Sequence, residues 1–254
     1  CIRDRLSSYD YARLYNQLLV GNGASPRFTD EDLRLFQNGS DPYNHPNTKW
    51  TDYVYRTGFM HKHNLNVSGG SEDVKYMASA GFIGQEGTLK NSDRQQFNMR
   101  TNLDVKLSKK FDMRANMAFI HNDYSDPNAS YGGGYTQFIW QSNRMAPWIP
   151  YKKEDGTYGS ISDGNPAAWI DIDSRIYYKQ QNFSGSLAFD YEILDGLKFT
   201  LQGAYVTNLK ETKDFRKECW YDAVNYHGPD RLTEKVDRWS RYTSVSYTHL
   251  TLPT

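Results

Sequence analysis

Aromatic side chains are concentrated in residues 122–180, and they are the residues of this sequence best suited to binding a ligand. Flat aromatic faces can stack on sugar rings, and loops held by a rigid scaffold commonly carry binding. Our candidate ligand contacts are Tyr135, Trp140, Trp148 and Trp169. The alternative, which the sequence leaves open, is that these rings pack the loop onto itself or onto a partner protein.

Other residue types give weaker indications of chemistry. His61 and His63 have a spacing that can chelate a metal ion, but the sequence assigns no third ligand. The acidic residues between 122 and 180 do not follow the EF-hand pattern, and they are typical of solvated loop charges rather than of a glycosidase pair. No G-x-S-x-G or phosphate-loop motif occurs. We therefore predict no enzyme activity, no metal site and no cofactor.

The composition excludes two classes of protein. The 254 residues carry no net charge, so the charge balance does not favour a nucleic-acid partner. No apolar run approaches the roughly 18 residues of a membrane-spanning helix, which excludes a helical membrane protein. Aromatic residues make up 15% of the chain, with 20 Tyr, 12 Phe and 6 Trp, and this content favours a β-rich fold.

Alternation of apolar and polar side chains is the strongest pattern in the chain. From Phe97 to Leu107 the odd positions are apolar except Thr101, and the even positions are polar or charged. A short turn at 108–110 leads into a second alternating run at 111–119. Such alternation predicts a hairpin whose strands each have one apolar and one polar face. Similar runs flank this hairpin on both sides, and a seventh strand is expected to start near Asp237.

The connections between these strands alternate in length. Short turns at 69–73, 108–110 and 194–196 alternate with longer links at 84–94, about 122–180 and about 208–236. An outer-membrane barrel is organised in this way, with short turns at one end and long loops at the other. The pattern predicts an all-β, antiparallel transmembrane β-barrel fragment, because six or seven strands cannot close a lipid-facing barrel.

Two other folds share this alternation. A soluble β-sandwich that binds carbohydrate also has strands with one apolar face, and a passive porin-like barrel has the same kind of membrane-crossing strand. We expect the sandwich to stay monomeric in buffer, whereas barrel strands would aggregate without detergent.

The two ends of the chain differ from the strand region, which is predicted over 61–244. Residues 1–60 predict a helical and loop connection, with a helix at Tyr9–Leu19 and a second helix that begins at a Thr29–Asp32 capping box. Residues 245–254 do not fit the strand pattern. One reading frame of a transposase-adapter DNA end also encodes their first six residues, so we expect a non-native, adapter-derived tail.

Several motifs resemble those of one known family. Tyr9–Asn16 resembles its Y-A-x-L-x-N helix, Pro46–Trp50 its P-x-T-D-W segment, and His63–Ser71 its N-L-S-V-S-G-G-S strand and turn. Gly84–Gly87 together with Asn98–Asp104 is similar to its N-Q-E-G and N-x-R-x-N-L-D pair. In order and spacing, these motifs resemble the SusC/RagA-like TonB-linked outer-membrane transporters of Bacteroidetes.

This resemblance implies a location in the bacterial outer membrane and a barrel of about 22 strands with an N-terminal plug. It also implies a TonB complex that energises transport, outer-membrane lipid around the barrel, and a SusD-like surface lipoprotein that binds the nutrient, a glycan or a peptide. The present chain would supply the helical connection after the first barrel strand and roughly the next six strands. In the family, the plug and the TonB box lie upstream of this region.

Overall fold

Seven antiparallel strands form one sheet in the computed structural model, which describes residues 5–129, 134–160, 164–227 and 230–250. Each strand of this sheet pairs with the strand that follows it in the same sheet, and two further short strands pair in a separate ribbon. The all-β antiparallel prediction is confirmed. The sheet is not closed, because its first strand, Met60–Gly70, and its last strand, Arg231–Leu250, are its two edges in the described chain. The last part of the predicted tail, 251–254, lies outside the described residues.

The strands of the large sheet are β1 (Met60–Gly70), β2 (Val74–Glu86), β3 (Asp93–Ser108), β4 (Phe111–Pro127), β5 (Arg175–Leu194), β6 (Leu197–Arg216) and β9 (Arg231–Leu250). The ribbon consists of β7 (Cys219–Trp220) and β8 (Tyr226–His227). The helices are α1 (Ser8–Gly21), α2 (Asp30–Asn38), α3 (Trp50–Val54), α4 (Gly134–Arg144) and α5 (Pro166–Asp171).

The strand register divides the side chains of the sheet into two faces. Met99 pairs with Ala80 on one side and with Phe119 on the other, and Phe119 pairs with Phe183. We call the side that carries the odd residues of 97–107 and their cross-strand partners the apolar face. The opposite side, which carries the even residues of the same strand segment and their partners, is the polar face.

The strands extend further at their loop ends than the sequence predicted. β4 continues to Pro127 and β5 begins at Arg175, so the link between them is 128–174 rather than 122–180. β6 continues to Arg216 and β9 begins at Arg231 rather than near Asp237, so the next link is 217–230 rather than 208–236. Polar side chains occupy both faces near these ends. The alternation in hydrophobicity is therefore lost there, although the backbone pairing continues.

The two N-terminal helices form where their capping residues predict. The Ser7 hydroxyl accepts a hydrogen bond from the backbone N–H of Asp10 at the start of α1. At α2, the Thr29 hydroxyl accepts from the backbone N–H of Asp32 at 3.1 Å, and the Asp32 carboxylate accepts from the Thr29 N–H at 2.7 Å. This capping box satisfies two backbone donors at the helix start. Gly39 ends α2 in the left-handed conformation, with a φ of 66°.

The hydrophobic core lies beside the large sheet, at its loop end. Leu89 from the β2–β3 link, Phe138 and Trp169 from the β4–β5 link, and Cys219 from the β6–β9 link share one buried cluster with Val54 of α3. We call this body the loop hub; it consists of the described residues of 5–59, 87–92, 128–174 and 217–230. No helix in the described chain is both long and apolar enough to cross a membrane.

Candidate functional site

Trp169 is a core residue of the loop hub. It is fully buried, its ring meets the edge of Phe138 at a centroid distance of 5.4 Å, and its Nε1 donates a hydrogen bond to the Tyr221 hydroxyl at 3.2 Å. Asn165 caps α5 and Pro166 opens it, which fixes the helix that carries Trp169. In this arrangement both ring faces are covered, so Trp169 packs the link onto itself.

Trp148 joins the β4–β5 link to the N-terminal segment. The Arg27 guanidinium lies 4.6 Å from the centre of the Trp148 ring, and Phe28 meets the ring at an angle at 5.8 Å. Trp148 is half-buried, and its Nε1 is a buried donor without a hydrogen-bond partner in the described chain. Its contacts make Trp148 part of the packing between two hub segments.

Trp140 and Tyr135 remain open to solvent on α4. Trp140 is 66% exposed and Tyr135 is 42% exposed, whereas Phe138 and Gln141 on the same helix are buried. The helix spans Gly134–Arg144. Of the four candidate ligand contacts, the structure therefore leaves Trp140 and Tyr135 with accessible rings.

A network of a tyrosine, a carboxylate and a lysine lies at the surface of the hub, where Asp171 and Lys152 are exposed. Tyr158 donates a hydrogen bond to the Asp171 carboxylate, and Lys152 Nζ lies 3.6 Å from the same group. Burial and this bond raise the pKa of Tyr158, whereas the pKa of Asp171 is lowered because the tyrosine hydrogen bonds outweigh the opposing effect of burial. Burial also raises the pKa of the Cys219 thiol to about 11, so this buried cysteine is not an activated nucleophile.

The two histidines at the start of β1 lie side by side. His61 Nδ1 and His63 Nε2 are 3.3 Å apart on exposed side chains. The described chain contains no group of three or more His, Cys, Asp or Glu residues that could hold a metal ion.

His45 is a structural contact that the sequence did not reveal. Its Nε2 lies 2.9 Å from Asp32 and its Nδ1 lies 3.0 Å from Asp41, and the ring packs edge-on against Phe36 at 5.0 Å. Asp41 and His45 are four residues apart, and this spacing could have suggested the contact between them. The second carboxylate, that of Asp32, comes from α2 and has no local sequence signal.

The polar face of the sheet carries an ordered set of polar contacts. Arg94 Nη2 donates to Asn122 Oδ1 at 3.0 Å, and the rings of Tyr124 and Tyr178 stack at 4.6 Å. Lys210 Nζ lies 5.2 Å from the centre of the Tyr178 ring. This face can therefore offer hydrogen bonds, positive charge and aromatic surface to a ligand.

The apolar face has no cover. Leu65 is 67% exposed, Met99 48% and Met117 51%, and neither hydrophobic cluster of the described residues includes them. One exposed apolar face, one polar face and a body of loops at one end are together the arrangement of a strand region from an outer-membrane β-barrel.

Comparisons with known proteins identify which barrels are similar. The chain is 33% identical over 162 residues to TonB-dependent receptor P3 of Formosa agariphila, a match that covers 60% of this chain and 16% of the receptor. It is 30% identical over 166 residues to TonB-dependent receptor SusC of Bacteroides thetaiotaomicron, covering 58% of this chain and 16% of SusC. No protein-family model matches the chain.

Solved structures of the RagAB peptide importer have the same fold. The closed-closed state matches with a TM-score of 0.64 and 14% identity over 100% of this chain and 28% of that chain. The open-open state matches with a TM-score of 0.61 and 14% identity over 97% of this chain and 28% of that chain. The chain is thus similar in sequence to TonB-dependent receptors that include SusC, and similar in fold to RagAB, as its motifs predicted. It spans 16% of the length of the curated relatives, which are receptors rather than enzymes.

Proposed function

We propose that this chain forms part of the barrel wall of a TonB-dependent outer-membrane transporter, which imports a glycan or peptide nutrient with a SusD-like lipoprotein. The observation that carries this proposal is the uncovered apolar face. Leu65, Met99 and Met117 belong to one continuous apolar surface with their cross-strand neighbours. Contiguous apolar surface of this extent marks contact with lipid or with another protein.

The soluble β-sandwich is the alternative that this observation disfavours. A sandwich needs a second sheet packed over the apolar face of the first. In the described chain the second sheet is the short β7–β8 ribbon, and Cys219 of that ribbon packs in the loop hub. The ribbon therefore does not supply the missing layer.

The height of the apolar face matches a membrane. On β3, the segment from Phe97 to Leu107 rises about 34 Å along the strand, at about 3.4 Å per residue. With a strand tilt of about 45°, this length corresponds to an apolar band about 25 Å tall, as in outer-membrane barrels. Beyond Phe97, the same side of the sheet carries Gln95, Asp93 and, on β4, Asp123. On this proposal the loop hub lies outside the membrane.

Two adjacent residues of β3 provide a matched test of this orientation. In the full-length polypeptide that carries this chain, Cys1 and Cys219 are replaced by Ser, and either Met99→Cys or Asn98→Cys is labelled with an environment-sensitive fluorophore in lipid vesicles. We expect the label at position 99 to be quenched by a lipid-attached quencher. The label at position 98 should respond to a water-soluble quencher instead. Equal access of the aqueous quencher to both labels would contradict the proposal.

Trp140 and Tyr135 are proposed contacts for the nutrient or for the lipoprotein. Their exposed rings lie on α4, which buries Phe138 in the hub and is therefore held in place. We expect Trp140→Ala to reduce copurification of the lipoprotein, or nutrient uptake, by about tenfold, since aromatic anchors dominate such interfaces. Tyr43→Ala, at a residue that is 47% exposed on another hub segment, is the control. If the Trp140→Ala variant copurifies with the lipoprotein and takes up nutrient as the unmodified protein does, Trp140 does not contact either of them.

A further inference from the structure

Charged side chains are divided unequally between the two sides of the sheet near its loop end. We use the word rung for the set of residues that are paired across the strands at one level. On the polar face, the rungs of β3 residues 94, 96, 98 and 100 carry basic residues at Lys62, Arg94, Arg100, Lys210, Lys235 and Arg241. The described acid on these four rungs is Asp237, which lies 3.0 Å from Lys235, and the next rung toward the loop end carries Asp126 and Asp214.

The other side of the sheet has the opposite bias at the same height. The rungs of β3 residues 93, 95 and 97 carry acids at Glu86, Asp93, Asp123, Glu211 and Glu234, with bases at Lys179, Lys213 and Arg238. The net charge of the whole chain is zero, so the separation is a property of the two surfaces rather than of the composition. A surface with one dominant sign of charge raises the local concentration of ligands of the opposite sign.

Two of the basic residues, Arg94 and Lys210, contact neutral groups rather than acids. Arg94 is held by neutral partners, the side-chain oxygens of Asn122 and Gln96 at 3.0 and 2.7 Å. Lys210 lies over the ring of Tyr178. These contacts join side chains of β3, β4, β5 and β6 on one face, as the register requires. Arginine held by amide oxygens keeps its full charge for a further ligand.

Amides and aromatic rings accompany the basic residues. The rung of β3 residue 98 carries the four asparagines Asn64, Asn98, Asn182 and Asn208. Side-chain amides both donate and accept hydrogen bonds, as sugar hydroxyls do. The stacked Tyr124 and Tyr178 lie on the rung of β3 residue 94, nearer the loop end, where they offer flat surface to a sugar ring.

We infer that the ligand which binds along this wall is an acidic oligosaccharide, whose carboxylate or sulfate groups contact the basic residues and whose hydroxyls contact the asparagines. This inference rests on the proposed function, because it requires the polar face to line the barrel interior. It goes beyond that function by naming the charge and chemical class of the cargo.

The test compares charged and neutral probes on the detergent-solubilised full-length protein. Calorimetry is run with oligogalacturonate and with maltohexaose as the neutral control. We expect oligogalacturonate to bind at least about tenfold more tightly, and we expect its affinity to fall as salt rises from about 50 to about 500 mM. Equal affinity for the two sugars, or an affinity that salt does not change, would overturn the inference while leaving barrel insertion and transport intact.

A matched pair of variants separates the two sides of the sheet. The triple variant Lys62→Gln, Arg94→Gln, Lys210→Gln should lose about tenfold or more in oligogalacturonate affinity, whereas Lys179→Gln, Lys213→Gln on the acidic side should change it by less than about twofold. Heat-modifiable migration on gels verifies that each variant folds. If the triple variant does not fold, the salt series on the unmodified protein tests the inference instead. Charge-dependent binding of oligoglutamate without binding of oligogalacturonate would exclude a glycan.

Discussion

The indole Nε1 of Trp169 donates a hydrogen bond to the hydroxyl of Tyr221 across 3.2 Å. Trp169 belongs to the β4–β5 link and Tyr221 to the β6–β9 link, so this bond joins the two long links at the loop end of the sheet. Both side chains are buried, and burial raises the pKa of Tyr221, which keeps the hydroxyl neutral. The contact is therefore structural, because it holds the two links together inside the hub.

Replacement of Trp169 should destabilise the hub much more than replacement of Trp140. We expect Trp169→Ala to lower the free energy of unfolding of the hub by about 3–5 kcal/mol, because it leaves a large cavity. Trp140→Ala, at a 66% exposed residue, should change it by less than about 0.5 kcal/mol. Urea unfolding of the detergent-solubilised protein, followed by near-UV circular dichroism and limited proteolysis, measures the difference. Equal losses in the two variants would contradict the assignment of Trp169 to the core.

Two glycines with similar backbone conformations provide a second test of the hub packing. Gly164 and Gly156 have φ values of 87° and 84°, but a Cβ at Gly164 would lie 2.5 Å from Cζ2 of Trp169, whereas nothing lies within 4 Å of a Cβ at Gly156. Alanine at either position carries a backbone strain of about 1 kcal/mol. We expect Gly164→Ala to cost about 1–3 kcal/mol more, because the ring must move. The same urea unfolding measures both variants, and indistinguishable midpoints would refute the close contact.

The contacts of His45 predict a pH dependence of the N-terminal segment. Burial alone would lower the pKa of His45, but the hydrogen bonds to Asp32 and Asp41 raise it above its ordinary value of 6.5. The pKa of Asp32 is lowered from 3.8, chiefly by the bond to His45. A raised histidine pKa contributes stability that is present below pH 6.5 and is lost as the pH rises through the folded-state value. The lowered carboxylate pKa contributes stability that is lost as the pH falls below 3.8.

The interaction of His45 with Asp32 and Asp41, which joins α2 to the following loop, should therefore be strongest between about pH 4 and 6.5. We expect protease resistance of residues 30–49 to be higher at about pH 5.5 than at about pH 8.5, and His45→Gln to remove this difference. His63→Gln, on β1, should leave the difference unchanged. An NMR titration of the ring protons gives the His45 pKa directly, and a value below 6.5 would refute the ion-pair arrangement.

The sequence predicted the parts of the fold that have a period or a local signal. The alternation around Met99 predicted the strands and their faces, and the Thr29–Asp32 pair predicted a helix start that forms as expected. The burial of Trp169 could not be read from the sequence, because an irregular link has no period that distinguishes an inward ring from an outward one. The longer strand ends were missed for a related reason, since both sides carry polar residues beyond Phe97 and only the backbone pairing continues.

The register of β9 bears on the predicted tail. On β6, Phe199 and Leu201 belong to the apolar face, and β9 pairs them with Thr248 and Ser246. Val245 pairs with Gln202 on the polar face. The side-chain polarity of the two faces is thus inverted over residues 245–248, whereas His249 pairs with Lys198 on the polar face and the strand pairing itself continues to Leu250. Hydrogen bonds between backbones do not depend on the side chains, so pairing can persist where the pattern of a lipid-facing strand fails.

We therefore propose that residues 245–254 are adapter-derived and that the natural strand differs from Ser246 onward in the polarity of its side chains. Sequencing of the genomic locus should give a different continuation, with apolar residues at the positions of Ser246 and Thr248 and a polar residue at the position of Tyr247. The physical reason is that a hydroxyl side chain facing the membrane lacks a partner there, whereas a valine or leucine gains free energy from contact with lipid. The same ten residues at the natural locus would refute the adapter origin.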